Sequence, residues 1–179
     1  MKIKFSILAA VLFSVIVNAQ NKKMKIEIWS DVACPFCYIG KRHLEKALEQ
    51  FEHKDKVELV WKSYQLDATL PKTSTENVYE MLARKKGMSV ERAKELNNHV
   101  AQMAKESGLN YNMDAVIPVN TFDAHRLIQF AKQHQLGDVA EDRLFKAFFI
   151  DGKNIADNET LISLGVEIGL QEDEIKKIL

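Results

Sequence analysis

Cys34 and Cys37 are the only cysteines in the chain, and they stand in the run Cys34-Pro35-Phe36-Cys37. A thiol pair at this spacing can hold a metal, staple a loop, or exchange electrons as dithiol and disulfide. Zinc asks for about four ligands, and no second cysteine pair is present; the nearest imidazole, His43, follows on the same run. A stabilising disulfide would close a longer loop. Redox exchange needs only two sulfurs, one to attack and one to resolve the mixed disulfide.

The flanking elements favour that third chemistry. Lys25-Ile26-Glu27-Ile28-Trp29 alternates as a strand does, and Leu44, Ala47, Leu48 and Phe51 recur at helical steps. The motif therefore lies where a strand hands over to the start of a helix. Free backbone N–H groups and the positive end of the helix dipole favour thiolate over thiol there. A cysteine so placed ionises in the range of roughly 3.5–7.5 instead of near 8.5. Pro35 suits the first helical turn, where its missing N–H costs nothing. Cys34 is expected to face solvent and attack, and Cys37 to lie deeper and resolve. Pro35 and Phe36 are expected to tune the couple, and Asp31 is the nearest carboxylate that could assist through water.

The chain beyond the motif continues as a helix to about Glu52, a charged turn over His53–Lys56, and a second strand over Val57–Tyr64. Strand, helix and strand in this order predict a right-handed parallel βαβ unit. After the loop 65–72 the pattern is helical for a long way. Thr73-x-x-Glu76 is a candidate capping box, Ser89 a candidate cap, and Asp138-x-x-Glu141 a second candidate box. Residues 109–119 read as irregular. Asn120 or Thr121 starts a helix to about His134, and Asp157 or Asn158 starts a shorter one. His125 is expected to be a hydrogen-bonded partner at a helix interface, with binding of substrate or glutathione as its other reading. Met81, Met88, Met103 and Met113 are expected to fill the core, and Trp29 and Trp61 to pack around the sheet.

The composition suits one globular domain: 179 residues, 46% hydrophobic, with zero formal net charge. Neutral balance makes no electrostatic case for nucleic acid. Lys2 and Lys4, the apolar run Phe5–Val17 and the small-residue site at Val17-Asn18-Ala19 form a secretory signal peptide pattern over residues 1–19. Export points to an oxidising compartment, the periplasm. The membrane then matters only through an uncleaved leader.

Trp29-Ser30-Asp31 followed by Cys34-Pro35-Phe36-Cys37-Tyr38-Ile39-Gly40-Lys41 resembles the FrnE-like branch of the DsbA family of thiol–disulfide oxidoreductases. So do Asn120–Leu127 and Phe148–Ile155, and the resemblance runs from Lys25 to Leu179. It implies an α/β thioredoxin-like fold with an inserted helical subdomain. The division is then a βαβ unit over 20–72, the insert over 73–150, and the start of a C-terminal thioredoxin half over 151–179. It also implies exchange of disulfides with protein or small thiol substrates and a redox partner, with no cofactor beyond the redox-active Cys34–Cys37 disulfide and with glutathione as the candidate small thiol.

Sister members, glutathione transferase kappa and 2-hydroxychromene-2-carboxylate isomerases, resemble this chain in fold but usually carry serine where Cys34 stands. A glutathione-dependent isomerase or transferase is accordingly the alternative activity, and an inactive binding module the alternative without catalysis. Thioredoxin-like proteins often carry a buried acid six residues before the first cysteine, and here that position is Ile28. The family also continues into a cis-proline loop and a β-hairpin, whereas the prolines here are Pro35, Pro71 and Pro118. The expectation is a sheet incomplete at its C-terminal end, in a shortened chain.

Overall fold

The computed structural model describes residues 23–179; the expected signal peptide lies outside the described residues. Strand β1 (Met24–Ser30) pairs in parallel with β2 (Val57–Ser63), from Met24 opposite Val57 to Ser30 opposite Ser63. Parallel neighbours cannot be joined by a tight turn, and helix α1 (Pro35–Glu49) makes the crossover. The expected βαβ unit is present, and among the described residues the sheet has these two strands.

Helices then follow one another: α2 (Val78–Lys86), α3 (Val90–Glu106), α4 (Phe122–Gln133), α5 (Gly137–Phe149), α6 (Asn158–Glu167) and α7 (Glu172–Ile178). Between α3 and α4 the chain is irregular apart from one 3-10 turn at Met113–Ala115. Among the described residues no helix is long and apolar enough to cross a membrane.

Two expected capping boxes do not form. The first helix after β2 starts at Val78, not near Thr73, because Asn77 is the better cap: its Oδ1 accepts from the N–H groups of Tyr79 and Glu80, each at 3.0 Å. Glu80 closes the box by accepting from the Asn77 N–H at 3.0 Å. Glu76 is drawn instead to Arg84. The second failure is at α5, which starts at Gly137 without a side-chain cap. Any larger residue there would collide with the Lys132 side chain. Asp138 reaches out to Lys41 at 2.8 Å, and Glu141 turns into the interior. Asn77→Ala should cost about 1 kcal/mol, read as a lower urea midpoint with unchanged slope.

The core lies between α1 and the later helices. Tyr38 of α1 stacks on Phe145 of α5 at 4.7 Å between centroids, and Tyr111 stacks on Phe149 at 4.7 Å. Met113 is buried as expected, and Met88 and Met103 are packed against the core. Trp61 is also buried, but Trp29 is 60% exposed, contrary to expectation. Side chains alternate across a strand; Trp61 shares the covered face with Ser30, whereas Trp29 points to the opposite face.

Candidate active site

Cys34 occupies the N-cap of α1, with extended backbone (φ −93°, ψ 109°), and Pro35 fills the first helical position. The Cys37 N–H points at the Cys34 Sγ from 3.3 Å. The turn before the helix closes through the Cys34 N–H on the Asp31 carbonyl at 2.9 Å. From the far side, the Tyr111 hydroxyl donates to the Pro35 carbonyl at 2.8 Å. The aromatic stack behind α1 thus holds the motif by its backbone. Both cysteines are free thiols, each partly exposed, and Phe36 stands out into solvent beside them.

The two sulfurs share a proton. The Cys34 thiol donates to Cys37, and this hydrogen bond is the largest reason that the Cys37 pKa falls to about 6. Burial opposes the fall. The same shared proton, and then burial, push Cys34 well above the usual thiol range. The pair therefore loses its first proton easily and its second with difficulty, as coupled groups do. Cys37 lies no deeper than Cys34, contrary to expectation, since both side chains are half-buried; the lowered pKa falls on Cys37, the reverse of the order expected from helix position alone.

Asp31 is 3% exposed and works as a clamp. Its Oδ2 accepts from the Leu66 N–H at 2.7 Å, and its Oδ1 faces the Ala33 N–H at 3.2 Å and His125 Nε2 at 3.3 Å. Burial alone would raise its pKa, but the His125, Leu66 and Ala33 hydrogen bonds outweigh burial and hold the carboxyl below the usual range. The motif, the exit of β2 and helix α4 are thereby joined at one carboxylate. His125 is buried, and its Nδ1 has no partner among the described residues.

The structure thus gathers Asp31, Cys34, Pro35, Cys37 and His125 around one turn. It adds residues that sequence reasoning passed over: Ser30, Tyr111 and Glu141. Glu141 is 3% exposed, and burial raises its pKa to about 7. Its sequence signal was an acid in register with the apolar stripe Leu144, Phe145 and Phe148. Among the described residues no group of three or more His, Cys, Asp or Glu side chains could hold a metal.

The model of the DSBA-like thioredoxin domain matches residues 25–179. The chain belongs to this family. The DSBA-like family acts on thiols and disulfides, and the strand–turn–helix site described above sits within the matched span. A Bacillus subtilis relative, the uncharacterized protein YwbO, is 31% identical over 155 residues, covering 86% of this chain and 70% of the relative. The crystal structure of a probable DsbA oxidoreductase from Streptomyces coelicolor is 38% identical with a TM-score of 0.82, over 87% of this chain and 67% of that one. The cytosolic disulfide reductase DsbM from Pseudomonas aeruginosa, solved with GSH, shares the fold at 18% identity and a TM-score of 0.60, over 87% of this chain and 70% of its own.

Proposed function

We propose that this DSBA-like protein is a thiol–disulfide oxidoreductase that exchanges disulfides with protein or small thiol substrates through the Cys34–Cys37 dithiol. The observation that carries this reading is the Cys34 sulfur at the cap of α1, with the Cys37 N–H on it and a second acidic thiol beside it. As a substrate disulfide approaches, the shared proton passes to Cys37 and Cys34 attacks as thiolate. A Cys34–substrate disulfide forms, and the first substrate sulfur leaves and is protonated. Cys37 then attacks the Cys34 sulfur. The Cys34–Cys37 bond forms, and the second substrate sulfur leaves as a thiol. Two protein thiols are oxidised as one substrate disulfide is reduced; the reverse sequence oxidises a substrate dithiol.

Insulin reduction and dithiol-peptide oxidation by the purified chain test the activity directly. Absence of both would overturn it. CPFC lacks the histidine of the strongly oxidising CPHC motif, so titration against glutathione should place the couple below the roughly −120 mV of the strongest oxidants. Export rests on the pattern of residues 1–19, and N-terminal sequencing of the native protein checks it.

An apolar cavity of about 400 Å³ opens beside Ala33, Pro35 and Phe36 and runs between α2, α3 and the end of α5. It favours one second reading, a glutathione-dependent isomerase or transferase acting on a small apolar compound. Isomerisation or glutathione consumption that survives Cys37→Ser would select that reading.

A further inference from the structure

We propose that Tyr111 is a positioning residue for the Cys34 sulfur: its hydroxyl, bonded to the Pro35 carbonyl, polarises the Pro35–Phe36 peptide, so that the Phe36 N–H at the other end of that peptide holds Cys34 as the attacking thiolate. The inference rests on the dithiol reading above and adds to it a residue 76 positions away from Pro35.

One peptide unit joins the two ends. Its carbonyl is that of Pro35, which takes the Tyr111 hydroxyl at 2.8 Å. Its N–H is that of Phe36, the second residue of α1. A side chain at the N-cap, where Cys34 stands, accepts from the second or third N–H of its helix. The third, that of Cys37, lies 3.3 Å from the Cys34 sulfur but is also directed at the Cys34 carbonyl at 3.1 Å. Pro35 offers no N–H at all. The Phe36 N–H meets no backbone carbonyl among the described residues. It is therefore the donor left for Cys34, and it favours the ionised sulfur.

Tyr111 is fixed independently of α1. Its ring lies 4.7 Å from that of Phe149 and 6.1 Å from that of Tyr38, nearly parallel to both. The next residue anchors the backbone, with the Asn112 N–H donating to the Phe149 carbonyl at 2.7 Å. Burial is the main reason that the Tyr111 pKa stands well above the ordinary tyrosine range. Charges on Tyr38, Cys34 and Cys37 add to the rise, and Arg42 opposes it. The hydroxyl is thus a donor throughout the range in which thiols titrate.

Hydrogen bonds in a chain strengthen one another. A donor on the carbonyl makes the N–H of the same peptide a better donor. A bond to an ionised acceptor is about twice as strong as a neutral one, so the gain falls on the thiolate and much less on the thiol or the disulfide. Strengthening one charge-assisted bond by about 10–30% favours ionisation of Cys34 about threefold. The thiolate so stabilised is also less basic, and a less basic thiolate is a weaker nucleophile.

The test uses the full chain carrying Cys37→Ser, in which Cys34 titrates alone, with and without Tyr111→Phe. Phenylalanine keeps the aromatic stack, and the Pro35 carbonyl keeps its helical partner, the Ile39 N–H. One neutral hydrogen bond is lost, too little to unfold a domain. Asp31, Arg42 and His125 are the same in both proteins. Alkylation of Cys34 by iodoacetamide, followed by intact mass across pH, should show an inflection about half a pH unit higher in Tyr111→Phe.

Reaction with oxidised glutathione gives the second readout. The Cys34 thiolate bonds to one glutathione sulfur, the glutathione S–S bond breaks, and the other half leaves as a thiolate. Below the inflection, Tyr111→Phe should form the adduct about twofold more slowly; above it, about 1.6-fold faster. Such a crossing reports a changed basicity of the sulfur. A contact that only braces the helix would lower the urea midpoint and leave both profiles in place. An unmoved inflection, or rates changed by one factor at every pH, would overturn the proposal. Absence of any glutathione adduct in either protein would instead overturn the dithiol reading, and the alkylation profile would still decide the role of Tyr111.

Discussion

Serine in place of Cys34 should leave a folded protein that turns over no disulfide. The hydroxyl can take the same place at the cap of α1, where serine is a favoured residue, so the helix and the aromatic stack behind it lose little. A serine oxygen cannot form the mixed disulfide, and insulin reduction should fall to the uncatalysed background. Cys37→Ser should behave differently. It keeps the attacking sulfur but cannot resolve, so incubation with oxidised glutathione should leave a stable adduct of one glutathionyl group per chain, seen by intact mass and released by dithiothreitol. Cys37 also carries the low pKa of the free pair. In Cys37→Ser, therefore, the Cys34 thiol loses the neighbour whose shared proton raised it, and the pH profile of its alkylation should move down relative to the second ionisation of the parent pair. Full turnover in Cys34→Ser would exclude the mechanism.

The largest structural effect should come from Asp31. Asp31→Ala removes the acceptor for the Leu66 N–H, the Ala33 N–H and His125 Nε2 together. Leaving buried donors unpaired costs about 1–3 kcal/mol each, with water recovering part of it. A loss of about 3 kcal/mol in urea unfolding is expected, and Asp31→Asn, which keeps one acceptor oxygen, should lose less. The pH dependence follows from the lowered carboxyl. The unfolded chain binds this proton near 3.8, and the folded chain binds it only at lower pH. The stabilisation is therefore complete above about pH 4 and is lost as the pH falls through the folded value. Asp31→Asn should remove that acid-side decline, and a parent-like decline in the variant would show that other carboxylates cause it.

Much of the site was legible because it is local. Residues 25–37 contain an alternating strand, a turn and a proline-started helix, and each is written in neighbours a few residues apart. That was enough to place the cysteines at a helix N-terminus and to predict the parallel crossover. The capping boxes show where local reading fails. Thr73-x-x-Glu76, Asn77-x-x-Glu80 and Asp138-x-x-Glu141 share one spacing, and a single one closes. Glu76 is drawn to Arg84 and Asp138 to Lys41, so competition from side chains outside the motif chose among them.

The amino-acid sequence by itself determined the chemistry on offer: two thiols at a helix start, a βαβ frame, and the family resemblance that those residues carry. The tertiary structure alone decided the electrostatics. Asp31 becomes a low-pKa clamp because Leu66 and His125 arrive on its two oxygens. Glu141 is pushed up to about 7 because the packing around α5 buries it away from water. The physical reason is one of range. Periodicity and capping are set within a turn or two of chain, but the charge state of a buried group depends on which distant atoms replace its water.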